Sequence, residues 1–297
     1  MDTWDRGILT RLELRTPGGR SVFLLFLGLL LLLSITVLFP FLFAFTSGLK
    51  TSLEIYNSGL QIFPANPQWS TYANVWTKFS FLTYFKNSFI VVGGGLVCQL
   101  TVTTLAAYSL ARLNPLGGRL ILGGFMITLM VPSIAYLIPL YTTLVKLPVV
   151  NISLLNSYWG LWLPYSVNAF GILIMKTFFE TIPDDLYDAA KVDGASPLQI
   201  FVRITLPLSR GILIVLIIVG FIGFWKDFLL PLLVLPNADM QPITVRLWYM
   251  LNANASSAPG LNEQMAASFL ALLPPILVAI TMQRYLKRGL SVGGVKG

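Results

Sequence analysis

Six long apolar stretches alternate with polar connections along this chain, at 22–45, 88–110, 120–145, 157–175, 211–234 and 265–282. A hydrocarbon core about 30 Å thick takes roughly 20 apolar residues of helix, and each stretch is near that length. The pattern predicts an all-α membrane protein with six transmembrane helices. Two stretches carry interruptions: Lys226-Asp227 falls inside the fifth, and Pro274-Pro275 is predicted to kink the sixth. The first stretch is too long for a cleavable signal and no small-residue cleavage pattern follows it.

The connections set an orientation. Arg6, Arg11, Arg15 and Arg20 precede the first stretch; Arg112 and Arg119 follow the second; Lys176, Lys191, Arg203 and Arg210 follow the fourth; Arg284, Lys287, Arg288 and Lys296 follow the sixth. The alternate connections hold only Lys50, Lys78, Lys86, Lys146 and Arg246. An excess of Lys and Arg marks the cytoplasmic side, so both termini are expected inside and Trp69 and Asn254 outside. Composition agrees with membrane residence: 56% of the 297 residues are hydrophobic and 11% charged, against roughly a quarter charged in soluble domains. The net charge of +8 follows from these orienting clusters, and no nucleic-acid partner is expected. With no His and one Cys, Cys98, the chain has no means for His-based acid–base chemistry, a Cys/His metal site or an internal disulfide.

One polar connection differs from the rest. Residues 184–207 read DDLYDAAKVDGASPLQIFVRITLP. Leu186, Ala189 and Ala190 recur at helical spacing, and Gly194 stands where a C-terminal cap needs positive φ. Ser196 offers a capping oxygen, Pro197 suits a first helical position, and Leu198, Phe201 and Ile204 are placed as one apolar face. Two short helices are expected, the second closed by Leu206-Pro207. Asp184, Asp185, Asp188 and Asp193 outnumber Lys191 and Arg203, which disfavours an anionic lipid surface and favours a soluble protein partner.

The run DAAKVDGA followed by ITLP resembles the coupling-loop signature of permease subunits of binding-protein-dependent ABC importers. The family usually carries Glu at the position of Asp188, one methylene longer. Trp225, Phe228 and Pro231, the region from Trp69 to Tyr72, and the tail from Gln283 through Gly289-Leu290 to Gly293-Gly294 resemble the sugar-importing subfamily, which typically has Asn at the position of Lys226. The resemblance implies that Leu186, Asp188, Ala189, Ala190, Asp193, Gly194, Leu206 and Pro207 form the ATPase contact. It also implies a second homologous permease subunit, two ATPase subunits that bind ATP and Mg²⁺, an external sugar-binding protein, and residence in a bacterial or archaeal cytoplasmic membrane. The stretches and the resemblance together divide the chain into a cytoplasmic arm (1–21), which the resemblance does not cover, a first span with its outer loop (22–83), a permease core (84–283) and a cytoplasmic tail (284–297). The implied cargo is a sugar, typically an oligosaccharide, with a polyol or glycerol phosphate as the alternative.

For a solute path, residue type and span position single out Tyr136, Trp159, Trp162, Tyr165, Asn168 and Asp227; ordinary packing or an interfacial aromatic belt accounts for them equally well. Lys226 and Asp227 point about 100° apart on a helix, so each needs its own partner. Gly93-Gly94-Gly95 suits close approach of another backbone. The chain has no G-x-x-x-x-G-K-[ST] loop and no nucleophile–His pair, so it is not expected to be an enzyme, and no cofactor is expected in it. An ion-coupled secondary transporter is the competing class. It calls for several intramembrane carboxylates and an inverted repeat, whereas Asp227 is the single acidic residue within the six stretches.

Overall fold

The computed structural model describes residues 16–57, 59, 61–253 and 259–292, and among them it is helical without strands. The chain divides into two compact units: the described residues of Met1–Val75 with Pro259–Phe269, and those of Trp76–Ala258 with the remainder of the C-terminal helix.

The first unit begins with α1 (Pro17–Gly48). Thr16 caps it by accepting the Gly19 amide at 3.1 Å, and Pro17 occupies the first turn, where its missing N–H costs nothing. Val22 to Leu38 are exposed apolar positions, as a lipid-facing helix requires. At the far end Gly48 is a packing requirement, since a Cβ there would lie 2.7 Å from the Tyr72 hydroxyl and 3.0 Å from Ala266 Cα. The Tyr72 hydroxyl donates to Phe45 O at 2.8 Å, and Phe45 meets the Phe269 ring at 5.0 Å. Short helices α2 (Ser52–Asn57) and α3 (Ser70–Lys78) follow.

The second unit is built on α4 (Phe81–Tyr108), continued by a π-helical turn, Ser109–Leu113. The chain then forms α5 (Gly118–Met130), α6 (Leu137–Val145), α7 (Trp159–Ser166), α8 (Ala169–Glu180), α9 (Asp184–Val192), α10 (Pro197–Ile200), α11 (Leu206–Leu208), α12 (Arg210–Lys226), α13 (Leu229–Val234), α14 (Ile243–Leu251) and α15 (Leu261–Val292). Helices α7, α8, α12 and α14 all pack on α4. Its Gly94 and Gly95 admit aromatic rings, not another backbone as the sequence suggested: Cβ atoms there would stand 2.1 Å from the Trp162 ring and 3.0 Å from that of Tyr165.

Among the described residues, three helices are long and apolar enough to cross a membrane by length and composition: α1, α4 with its π extension, and Leu261–Gln283 within α15. The number rises to five if each of two bent pairs counts as one span. Three of the six apolar stretches are broken, the fifth at the Lys226-Asp227 interruption that the sequence shows. In the third, the chain turns through 102° between Gly118–Met130 and Ser133–Val145; Val131 adopts extended geometry before Pro132, as residues preceding proline do. In the fourth, Val167 and Asn168 leave the helix, and the Asn168 side chain restarts it by accepting the Gly171 amide at 2.7 Å. The fifth ends at Lys226; Asp227 turns extended, and its carbonyl accepts the Thr244 hydroxyl at 3.0 Å in place of a helical amide. Pro274 and Pro275 lie inside α15.

Candidate functional site: a two-sided loop and a cavity

Local chemistry explains the fold of residues 184–207. Asp184 and Asp185 occupy the first turn of α9, where the helix dipole favours them. The helix ends in a Schellman motif: Ala195 N donates to Ala190 O at 2.9 Å and Gly194 N to Lys191 O at 3.0 Å. Gly194 sits at φ +78°, as its position in the sequence predicts. Ser196 and Gln199 then form a reciprocal capping box around Pro197 at the start of α10.

The second helix departs from the expected pattern. It does not close at Leu206-Pro207; a π turn (Phe201–Thr205) and α11 carry it to Ser209, and the chain bends by 77° into α12. The wider π turn shifts the side-chain register. Ile200, Phe201 and Thr205 face inward while Leu198 is 65% exposed, so Leu198, Phe201 and Ile204 do not share one buried face. In α9, likewise, Ala190 turns inward with Tyr187, while Leu186 and Ala189 face out.

The inner face is firmly attached. Tyr187, Ala190, Ile200 and Phe201 enter one apolar cluster with Tyr108, Phe179 and Leu216. The Tyr187 and Thr205 hydroxyls lie 3.2 Å apart, and the Tyr108 hydroxyl donates to Pro197 O at 3.2 Å. Arg112, from the π turn after α4, holds the entrance: its guanidinium pairs with Asp184, donates to the carbonyls of Phe179 and Ile182, and lies 4.1 Å from the Tyr187 ring centre. In the sequence Arg112 stands only as one of the orienting charges. No local signal marks it otherwise, because its partners lie about seventy positions away in sequence.

The outer face is exposed and mixed. Leu186, Val192, Leu198 and Val202 present apolar surface beside Asp185 and Asp193. Asp188 pairs with Lys191 at 2.9 Å, both side chains about two-thirds exposed. Leu206 is half-buried and Pro207 exposed.

A Cβ added at Gly194 would meet nothing within 4 Å, so a larger residue there is opposed by backbone conformation alone, on the order of 1–2 kcal/mol for an ordinary side chain and more for a β-branched one. If the loop is the ATPase contact that the resemblance implies, Gly194→Val should lower solute-stimulated ATP hydrolysis by the assembled system while leaving membrane levels unchanged. Gly194→Asn, which tolerates the left-handed region, should retain it. Equal stimulation for valine and glycine would show that the turn is not needed.

Elsewhere in the second unit the helix breaks surround a cavity of about 810 Å³, whose walls include Tyr136, Tyr165, Asn168, Phe224, Lys226 and Asp227. The Tyr165 hydroxyl donates to Asp227 Oδ2 at 2.5 Å, and its ring stacks on Phe224 at 4.2 Å. Four of the six residues singled out for a solute path thus meet at this cavity. Trp159 and Trp162 are not in its lining: Trp162 packs over Gly94 and donates its indole N–H to Val91 O at 3.2 Å, with Trp159 edge-on against it. No group of three or more His, Cys, Asp or Glu among the described residues is placed to hold a metal ion.

Residues 99–292 match the family described as "Binding-protein-dependent transport system inner membrane component". The chain is 31% identical to the sn-glycerol-3-phosphate transport system permease protein UgpE of Pectobacterium atrosepticum, over 86% of this chain and 91% of that one. It is 30% identical to UgpE of Yersinia pestis, over 90% and 93%. The fold is similar to a chain in the crystal structure of a bacterial ABC transporter involved in the import of the acidic polysaccharide alginate, with a TM-score of 0.81 at 22% identity, covering 91% of this chain and 98% of that one. The matched stretch runs from α4 to the end of α15 and includes the whole two-sided loop, and the chain belongs to the family of binding-protein-dependent transport system inner membrane components.

Proposed function

We propose that this chain is one membrane half of an ATP-driven importer, in which the segment 184–207 receives motion from an ATPase and the cavity beside Tyr165 and Asp227 passes the solute. The observation that carries this reading is the two-sided construction of α9 and α10: one face is anchored through Arg112, Tyr187 and Phe201, and the other leaves Leu186, Val192 and Leu198 exposed next to carboxylates. An apolar centre with a polar rim suits a protein partner. The chain itself binds no ATP; ATP and Mg²⁺ belong to two partner ATPase subunits. A second, homologous permease completes the pore, and an external binding protein delivers the cargo.

In this reading the chain crosses the membrane six times with both termini cytoplasmic. The α5–α6, α7–α8 and α12–α13 pairs then each make one broken crossing. Discontinuous helices are tolerated at membrane depth where they line a cavity, and these three pairs supply the lining named above. Segments 1–21 and 284–297 are the cytoplasmic arm and tail, 22–83 the first span and outer loop, and 84–283 the permease core. Asn254, expected outside, and the end of the tail at 293–297 lie outside the described residues. Closure of the ATPases pushes α9 and α10, which move α4, α8 and α12 together and switch access to the cavity.

The cargo is a sugar, with oligosaccharides favoured and a polyol or glycerol phosphate as the alternative. The sugar reading is supported by the resemblance of Trp225, Phe228 and Pro231 to sugar permeases and by the likeness to an importer of an acidic polysaccharide, and the alternative by the glycerol-phosphate permeases among the relatives. The test is purification of the detergent-solubilised complex through this chain. Recovery of an ATPase and a second permease is expected; recovery of neither overturns the reading.

A further inference from the structure

The cavity wall contains two charged residues, Lys226 and Asp227. They are not equivalent. Asp227 is already engaged, with Oδ2 accepting the Tyr165 hydroxyl and that ring held in place by its stack on Phe224. Its other oxygen, Oδ1, has no hydrogen-bond partner among the described residues and remains an acceptor. Lys226, at the last position of α12, is exposed and makes no ion pair with Asp227 or with any other carboxylate among the described residues. In the proposed pore, where this wall lies within the membrane, an ammonium without a counter-ion is costly and marks a functional position. The chain departs from the helix at Asp227, and no ion pair joins the two groups.

Their chemistry is complementary to one class of solute. A carboxylate oxygen accepts hydroxyl protons strongly, and an ammonium pairs with a phosphate or carboxylate. We infer that the cavity takes a polyhydroxylated solute bearing an anionic group, with Lys226 holding the anion and the Asp227–Tyr165 pair holding a hydroxyl. This rests on the proposed function and narrows its substrate class: Lys226 sets specificity for a charged cargo over its neutral counterpart.

A protection assay reads this without passing through the binding protein. Tyr136, which lines the cavity and is 47% exposed, is replaced by cysteine in a Cys98→Ser background, and its thiol labelling is followed in the purified complex. Glycerol and sn-glycerol 3-phosphate are compared as protectants, as are glucose and glucuronate, so that a phosphate and a carboxylate requirement are told apart. The anionic member of at least one pair should protect at a concentration about tenfold lower, the size of one charge-assisted contact. Lys226→Met should abolish the difference and Lys226→Arg should keep most of it. Equal protection by neutral and anionic solutes, protection by none, or a difference unchanged in Lys226→Met would each overturn the inference. The importer reading is judged separately on the same preparation, by the presence of the ATPase and second permease.

Discussion

Replacing Arg112 with alanine should uncouple the transporter while leaving the chain in the membrane. The guanidinium, 14% exposed, ties three elements together: it donates to the carbonyls of Phe179 and Ile182 at the end of α8, pairs with Asp184 at the start of α9, and covers the Tyr187 ring. A hydrogen bond from a charged donor contributes roughly 1.5–3 kcal/mol, and the two carbonyls lose their donor together in the variant. The Asp184 pair adds little, because that carboxylate is 80% exposed and solvent-screened. Solute-stimulated ATP hydrolysis should therefore fall by at least about tenfold, the equivalent of a single such bond. Arg112→Lys, which keeps the charge but not the planar fork, should recover only part of it. Asp184→Asn should lie close to wild type. If Arg112→Ala retained full stimulation, the entrance of the loop would not need this anchor, and transmission would rest on the apolar cluster around Tyr108 and Phe201.

The second large effect is expected on the opposite face. Leu186 is 44% exposed and lies outside the buried cluster that holds α9, so Leu186→Asp should fold and insert normally. At the centre of a docking surface, however, it would bury an unpaired charge and remove an apolar contact. Such hot-spot positions are worth about 2 kcal/mol or more, which corresponds to at least roughly thirtyfold weaker retention of the ATPase. Asp188→Ala should act differently. Asp188 already pairs with Lys191 in solvent, so its loss should matter most at low salt and fade as ionic strength rises. Co-purification of the ATPase across a salt series separates the two. A Leu186→Asp variant that held the ATPase as tightly as wild type would remove the apolar outer face from the interface.

The loop was legible in the sequence because its signals are local. Positive φ at Gly194, the Ser196 cap and Pro197 at a helix start each depend on residues within a few positions of one another; the Gln199 side chain that completes the cap is not part of the sequence expectation. What else escaped depends on distant partners. The break at Asp227 is completed by the Thr244 hydroxyl, the path residues converge only because α5–α8 and α12–α13 fold around one cavity, and Arg112 acquires its role from carbonyls on another helix. The misplaced face of α10 has a further cause: helical spacing presumes a constant period, and the π turn at Phe201–Thr205 changes it within a single turn. Long apolar stretches likewise reveal that a segment belongs in the membrane without revealing whether it crosses as one helix or two, since the breaks at Val131, Asn168 and Asp227 are each only two residues long within an otherwise apolar run.

The central claim, that the exposed face of residues 184–207 is where an ATPase docks, is tested most directly by site-specific photo-crosslinking in native membranes. A photoreactive residue at Leu198, 65% exposed, should yield a covalent adduct with an ATP-binding subunit, whereas one at Ile200, 3% exposed and turned into the apolar cluster, should not. Adducts at Leu198 with lipid alone, or with a protein that binds no ATP, would contradict the account.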